Sequence, residues 1–329
     1  MINVKIRDIA VYHGSRIVDN DYYIEHFKKK QKDVSHFLTN IIGRKKRYMI
    51  DPDTDSNLSM AMKATKLVLE QAGLSGKDID LIAYSSVLPE YTIPPCSIHL
   101  HEAIGGKPEC ICYDINVNCA GMTVCIEQIC KYMHLSENVN TALIVGCDYV
   151  NHLLNSDNEY CYGHYGDAAC AIILEKTDEP CGFLGSKYAV NSAEHNNIHF
   201  PGCGFSNLFS EQDREALRMV WLPFENVSIN TAVKNMRALM EENNLSIDDI
   251  KMFCLSQYAL ANVQSIRELL GIDESKSIFI GDQYGYTGTS SPYIALYEAL
   301  KRGLVKRGDY IMIWTIGGGS ENIAMLMRY

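Results

Sequence analysis

The chain has 329 residues, 47% of them hydrophobic and 21% charged, so it can bury a sizeable core and is not a disordered chain. A formal net charge of −10 excludes a broad nucleic-acid footprint, which needs a basic excess to release phosphate counterions. No run approaches the roughly 18 apolar residues of a membrane span, and twelve cysteines in so long a chain do not make a secreted disulfide scaffold.

The start, Met1-Ile2-Asn3-Val4-Lys5, lacks the charged and apolar regions of a signal peptide, so a cytoplasmic protein with mostly buried free thiols is expected. The densest charge run, Gly43-Arg44-Lys45-Lys46-Arg47, reads by itself as a solvated turn. Next comes a helical pattern that stops at Gly73, a short turn, and the apolar run Leu81-Ile82-Ala83-Tyr84-Ser85. The same arrangement returns at an offset of 171: Leu245-Ser246 and Asp249-Ile250 repeat Leu74-Ser75 and Asp78-Ile79, after a helix that stops near Asn244. Glycine and asparagine are the residues suited to a left-handed helix end, and the apolar runs read as buried strands. Ala142–Gly146 with Tyr310–Trp314, and Ala169–Leu174 with Asn322–Met327, form two more strand pairs. The economical architecture is two similar α/β halves, drawn as 1–174 and 175–329, with a mixed sheet covered by helices in each.

Cys96, His99, His101, Cys110 and Cys112 have metal-ligand chemistry but match no strong zinc spacing, so no metal is expected. Tyr113-Asp114-Ile115-Asn116-Val117-Asn118-Cys119-Ala120-Gly121 reads as a strand ending in a tight turn before an amphipathic helix. Cys119 then sits near a helix N-terminus, where the dipole and free N–H groups favour thiolate over thiol. Spacing alone leaves two readings open, a reactive nucleophile or one more buried small residue; Cys125 and Cys130 on the same helix read as packing. His164, His195 and His199 are candidate bases, with a surface or satisfied loop histidine as the plainer reading of each. Gly317-Gly318-Gly319 follows a strand but lacks the Lys-Ser/Thr of a phosphate loop.

Taken together, the chain resembles the 3-oxoacyl-acyl-carrier-protein synthase III group of thiolase-superfamily condensing enzymes. The residues that carry the resemblance are Asp114-Ile115-Asn116 to Cys119-Ala120-Gly121, Ile42-Gly43 to Arg47, Pro89-Glu90-Tyr91 to Pro94, Tyr165-Gly166-Asp167-Ala168-Ala169, and Ile316-Gly317-Gly318-Gly319. The resemblance implies a duplicated, five-layered αβαβα fold, an acyl-accepting Cys119, and an oxyanion hole from the backbone N–H groups of Cys119 and Gly318. It implies substrate contacts at Phe37, Ile93 and Met122, with Ile93 reaching into the partner subunit of a homodimer or heterodimer. No cofactor is implied.

The chain also departs from the family pattern. Ser256 falls on the family's catalytic histidine, and Tyr286 on its asparagine. A hydroxyl can donate a hydrogen bond to an enolate, but neither Ser nor Tyr is a ready proton shuttle near neutral pH. Phe37, Ile41, Glu159 and Ala261 stand where the family's coenzyme A site has a Trp and arginines. The expectation is therefore an acyltransferase that loads Cys119 from a thioester and passes the acyl group to a carrier protein or small acceptor. Lys301-Arg302 and Lys306-Arg307 are candidates for the basic patch an acidic carrier protein needs. Malonyl-thioester decarboxylation is expected to be absent or very weak. The alternative is a catalytically reduced partner subunit of a heteromeric condensing enzyme.

Overall fold

The structure, a computed structural model, describes residues 3–223 and 229–329. Met1 and Ile2 of the amino-terminal stretch lie outside the described residues. The first sheet is built from β1 (Asn3–His13), β2 (Leu81–Ser85), β3 (Ile111–Ile115), β4 (Thr141–Asp148) and β5 (Ala168–Thr177), in the order β1-β5-β4-β2-β3. The second is built from β6 (Gly182–Val190), β7 (Ile250–Leu255), β8 (Tyr310–Gly317) and β9 (Glu321–Arg328), in the order β6-β9-β8-β7. The order and the strand directions repeat: β2 pairs β4 in parallel as β7 pairs β8, and the next two pairings are antiparallel in both sheets.

Six helices complete the layers: α1 (Asn57–Ala72), α2 (Cys96–Ala103), α3 (Gly121–Leu135), α4 (Ile229–Glu242), α5 (Leu260–Leu270) and α6 (Ser291–Lys301). Helix α1 packs Met60, Ala64 and Val68 onto the outer face of the first sheet, against Ile82, Leu143 and Ile173. Helices α4 and α5 pack Met236, Leu239, Val263 and Ile266 onto the outer face of the second, against Phe253, Met312 and Trp314. Helices α3 and α6 lie between the sheets, where Ile126, Ile129, Ile294 and Leu296 join Ile144 and Ile172 to Ile311 and Ile313. The result is the expected five-layered αβαβα order. Strands covered on both faces explain why their sequences are apolar runs rather than alternating ones.

Both expected helix ends are left-handed: Gly73 has φ 64° and Asn244 φ 55°. Strand β5 runs to Thr177, so the division drawn between 174 and 175 falls inside a strand. The passage from one sheet to the other is the turn at 178–181.

One expectation is overturned outright. The basic run at 43–47 is not a solvated turn, because Arg44 and Arg47 are fully buried. Each guanidinium offers five donors in a rigid fork, and here main-chain carbonyls take most of them. Arg44 donates to the carbonyls of Ile42, His164, Gln257 and Tyr258 at 2.7–3.1 Å. Arg47 donates to the carbonyl of Gly163 and to Asn20 Oδ1, and its guanidinium lies 4.6 Å from the Tyr23 ring centroid. Only Lys45 behaves as read, being exposed and paired with Asp282, whereas Lys46 is half-buried over the Tyr48 ring.

Candidate active site

Strand β3 ends at Ile115, and the turn that follows carries Cys119 to the start of α3. Asn118 takes the left-handed conformation, φ 50°, which asparagine tolerates better than most residues. From the other half, the turn between β8 and β9 comes down on this one. Asn118 Nδ2 donates to the Gly318 carbonyl at 3.3 Å, and the Thr315 hydroxyl donates to the Cys119 carbonyl at 2.9 Å. A Cβ on Gly317 would lie 3.1 Å from the Val117 carbonyl oxygen, a tight contact that glycine avoids.

Cys119, Gly317 and Gly318 line one small cavity of about 50 Å³. Its remaining walls are Tyr165, Ile198, Trp221, Tyr258, Tyr286, Ile316 and Ser320. Trp221 and Tyr258 stack with a 6° interplanar angle at 6.3 Å, and Tyr258 meets Tyr286 edge-on at 5.4 Å. No wall residue carries a charged side chain at neutral pH.

Of the residues expected in place of the family's His and Asn, Tyr286 is brought to Cys119 in the cavity wall, whereas Ser256 is not among the walls and faces Tyr286 from behind. Ser256 follows the end of β7 and is fully buried, its N–H bonded to the Trp314 carbonyl. Tyr286 is held by a short ladder: its N–H donates to the His164 carbonyl and its own carbonyl accepts from Gly166 N–H. The Tyr286 hydroxyl lies within hydrogen-bonding reach of both Cys119 and Ser256. Neither the Tyr286 nor the Ser256 hydroxyl completes a hydrogen bond of standard geometry. Two orphaned buried hydroxyls beside a thiol are a costly arrangement, about 1–3 kcal/mol each.

The expected ease of forming a thiolate is not what the site shows. Burial pushes the Cys119 thiol up to about 12, and the buried Asp148 carboxyl adds to the rise. Proximity of the Tyr286 hydroxyl works the other way. The helix start supplies little, because its first N–H groups are already taken. Ala120 and Gly121 donate to the Val117 and Asn118 carbonyls, and Met122 donates to Thr289 Oγ1 at 2.7 Å.

Two residues outside the sequence argument buttress this floor. Asp148 accepts from the N–H groups of Val87 and Thr289, both at 2.7 Å, and burial raises its carboxyl to about 6. Thr289 then passes the connection to Met122 N–H and, at 3.0 Å, to the Ser85 hydroxyl. Gly288, at φ 58°, leaves the space that Asp148 fills. Neither residue had a motif to mark it. Trp221 and Ile198 come from the segment between β6 and α4, which carries no periodic pattern.

Other expected residues lie elsewhere. Met122 is buried in the central core and its side chain is not among the cavity walls. Phe37 meets the Tyr160 ring edge-on at 6.1 Å, and Glu159 pairs with Lys32, both away from the cavity. Ile93 is 89% exposed and lines a surface groove with Phe200 and Phe205. His195 and His199 are exposed. His164 is fully buried behind the aromatic wall, 4.6 Å from Tyr258 and 5.5 Å from Tyr286 between ring centroids. Burial, with Arg44 and Arg47 nearby, pushes its pKa well below the usual value, so it stays neutral. Among the described residues no group of three His, Cys, Asp or Glu stands together as a metal set, and Cys96 and Cys110 point to different partners. Of the candidate basic patch, Arg302 pairs with Glu298, and Arg307 donates to the carbonyls of Ile6 and Arg7. Among the described residues no helix is long and apolar enough to cross a membrane.

Comparison with known proteins agrees with this geometry. Residues 113–192 match the family described as 3-oxoacyl-[acyl-carrier-protein] synthase III, and residues 240–329 match the C-terminal part of the same family. The beta-ketoacyl-[acyl-carrier-protein] synthase III of Clostridium beijerinckii is 27% identical over 100% of both chains. Among solved structures, the 3-oxoacyl-[acyl-carrier-protein] synthase III of Aquifex aeolicus superposes with a TM-score of 0.84 at 22% identity, covering 99% of this chain and 100% of that one. The priming beta-ketosynthase of the R1128 polyketide pathway gives 0.88 at 18% identity, covering 99% and 96%. At those identities the superpositions bear on the fold alone.

Proposed function

The chain belongs to the 3-oxoacyl-[acyl-carrier-protein] synthase III family of condensing enzymes, and from that premise we propose that it is an acyltransferase working through an acyl thioester on Cys119. The observation that carries the reading is the shared cavity: the only sulfur in its walls is Cys119, and Gly318 faces it from the other half. A thiol attacks a thioester carbonyl, the carbonyl oxygen becomes an oxyanion, and backbone N–H groups at Cys119 and Gly318 stabilise it. The donor thiol leaves with the proton, and the acyl group stays on sulfur. A carrier-protein thiol or a small nucleophile then takes it. The cavity's size suits a short, uncharged acyl group.

Tyr286 would act as a hydroxyl donor to the incoming thioester, with the Ser256 hydroxyl behind it. Their orphaned state supports this, since a bound carbonyl oxygen would supply the missing acceptor. Decarboxylation of a malonyl thioester would lack a proton shuttle in the cavity walls, so it should be weak.

The absence of any base among the cavity walls favours a second reading, a catalytically reduced subunit that supports a homologous partner. Incubation with panels of acyl-carrier-protein and acyl-coenzyme A thioesters, read by intact mass, separates the two. An acyl adduct that disappears in Cys119→Ala supports the enzyme. No adduct from any donor, with co-purification of a homologue, supports the partner subunit.

A further inference from the structure

Arg44 is a fully buried cation with no carboxylate partner among the described residues. Such a charge is expensive: taken out of water and left without a counter-ion, it costs several kcal/mol. A methionine would fill the space more cheaply if packing were all that mattered. Space has in fact been cleared for the charge, because a Cβ on Gly281 would lie 2.4 Å from Arg44 Nη1.

The hydrogen bonds show where the charge is applied. The guanidinium spans the two loops that carry the site's substituted positions. On one side Nε donates to the His164 carbonyl at 3.1 Å, the same carbonyl that accepts the Tyr286 N–H. On the other, Nη2 donates to the carbonyls of Gln257 and Tyr258 at 2.9 and 2.7 Å, next to Ser256. One side chain therefore fixes the backbone of both hydroxyl-bearing positions. It also lays a positive charge behind the aromatic wall, in a buried region where solvent screening is weak.

We propose that Arg44 is a positioning residue of the Cys119 site, setting the readiness of the thiol through Tyr286. The proposal rests on Cys119 being the acyl-accepting residue and goes beyond it by naming what activates it. The groups facing Arg44 are Arg47, Tyr258, Tyr286, His164, Asp282 and the ring of Phe279. The groups facing Cys119 are Tyr286, Asp148, Tyr165 and Tyr258. Arg44 favours negative charge on Tyr258 and Tyr286 and disfavours positive charge on His164. A phenol made a stronger donor in this way stabilises a thiolate beside it. The proton leaves Cys119 Sγ for solvent or the departing thiol, and no other group changes oxidation or bonding.

The test uses the full chain and a small thiol reagent, methyl methanethiosulfonate, with modification of Cys119 counted by peptide mass between pH 7 and pH 10. In Arg44→Met the rate at Cys119 should fall about tenfold at each pH, the equivalent of one pKa unit. In a Tyr286→Phe background the same substitution should have little further effect, because its route to the sulfur is gone. Arg44→Lys keeps the charge and loses the fork. A buried lysine sheds its proton within the range scanned, so its profile should match the wild type at the low end and fall behind at the high end. If Arg44→Met does not fold, the lysine profile decides: one parallel to the wild type throughout overturns the proposal. So does an Arg44→Met rate equal to the wild type, or an undiminished Arg44 effect without the Tyr286 hydroxyl. Loading of wild-type Cys119 by the thioester panel is scored separately. Its failure would remove the nucleophile reading, whereas normal loading with unchanged Arg44 variants removes only the role of Arg44.

Discussion

Ser85 and Ser256 occupy the same position in the two copies of the repeat, each at or just past the end of the second strand of its half. Both are fully buried. The Ser85 hydroxyl is satisfied by Thr289 at 3.0 Å, inside the buttress that ends at Asp148. The Ser256 hydroxyl completes no hydrogen bond of standard geometry and faces Tyr286 behind the cavity wall. One copy of the repeat has spent this position on holding the halves together, and the other has left it open at the reactive sulfur. A buried polar group without a partner calls for a reason, and here the reason offered is a ligand. The comparison teaches that duplication conserves the frame while the chemistry concentrates where the frame is left unsatisfied.

The strongest way to break this contrast is to remove the sulfur. Cys119→Ala should abolish acyl loading, by at least about a thousandfold in rate as for other lost nucleophiles, with thermal stability nearly unchanged. Loading that persists, traced by peptide mass to another of the twelve cysteines, would sink the assignment. Cys125 and Cys130 serve as controls, being buried in α3 with thiols pushed above the ordinary value by the same burial.

Next in size is the Tyr286 hydroxyl. With the thiol at about 12, the thiolate fraction at Cys119 should climb about tenfold per pH unit up to at least pH 10 without a plateau. Tyr286→Phe removes the neighbour that favours the thiolate, so modification should slow about tenfold at fixed pH while the slope persists. A plateau near pH 7 in the wild type would show a thiol activated by some group other than those around the cavity. The aromatic wall adds a third test: Tyr258→Ala should extend loading to longer acyl groups, read as the ratio of long-chain to acetyl adduct. An unchanged ratio would mean that the stacked Trp221–Tyr258 pair does not limit the acyl group.

Much of this arrangement was legible in the residues. The offset of 171 placed the strand ends, Gly73 and Asn244 marked the helix ends, and the Asn-Cys-Ala-Gly turn marked the sulfur. The early basic run was misread because a charge run is ordinarily solvated, and nothing local announces that carbonyls from two distant segments will surround Arg44. The second sheet also stops one strand short of the first, which nothing in the residues announced. Ser277–Ile280 is apolar enough to match β3, yet only the preceding residue joins the sheet, through Phe253 N–H to the Lys276 carbonyl at 2.7 Å. The raised Cys119 thiol was hidden for a related reason. A helix start advertises free N–H groups in sequence, and only packing reveals that Thr289, from the other half, has claimed one of them.

The smallest expected effects test the two serines against each other. Ser85→Ala removes one partner of a buried pair and leaves Thr289 Oγ1 with an unmet bond, so it should cost about 1–2 kcal/mol in urea unfolding. Ser256→Ala removes a hydroxyl that is already unpaired, so stability should stay within about 0.5 kcal/mol or rise slightly. Activity should order them the other way. Ser256→Ala should slow transfer from the thioester several-fold, because it removes the hydroxyl that faces Tyr286 behind the cavity wall. Ser85→Ala should leave the rate per folded molecule almost unchanged. If Ser256→Ala is as destabilising as Ser85→Ala, its hydroxyl is structural in both copies, and the contrast between the halves reduces to Tyr286 alone.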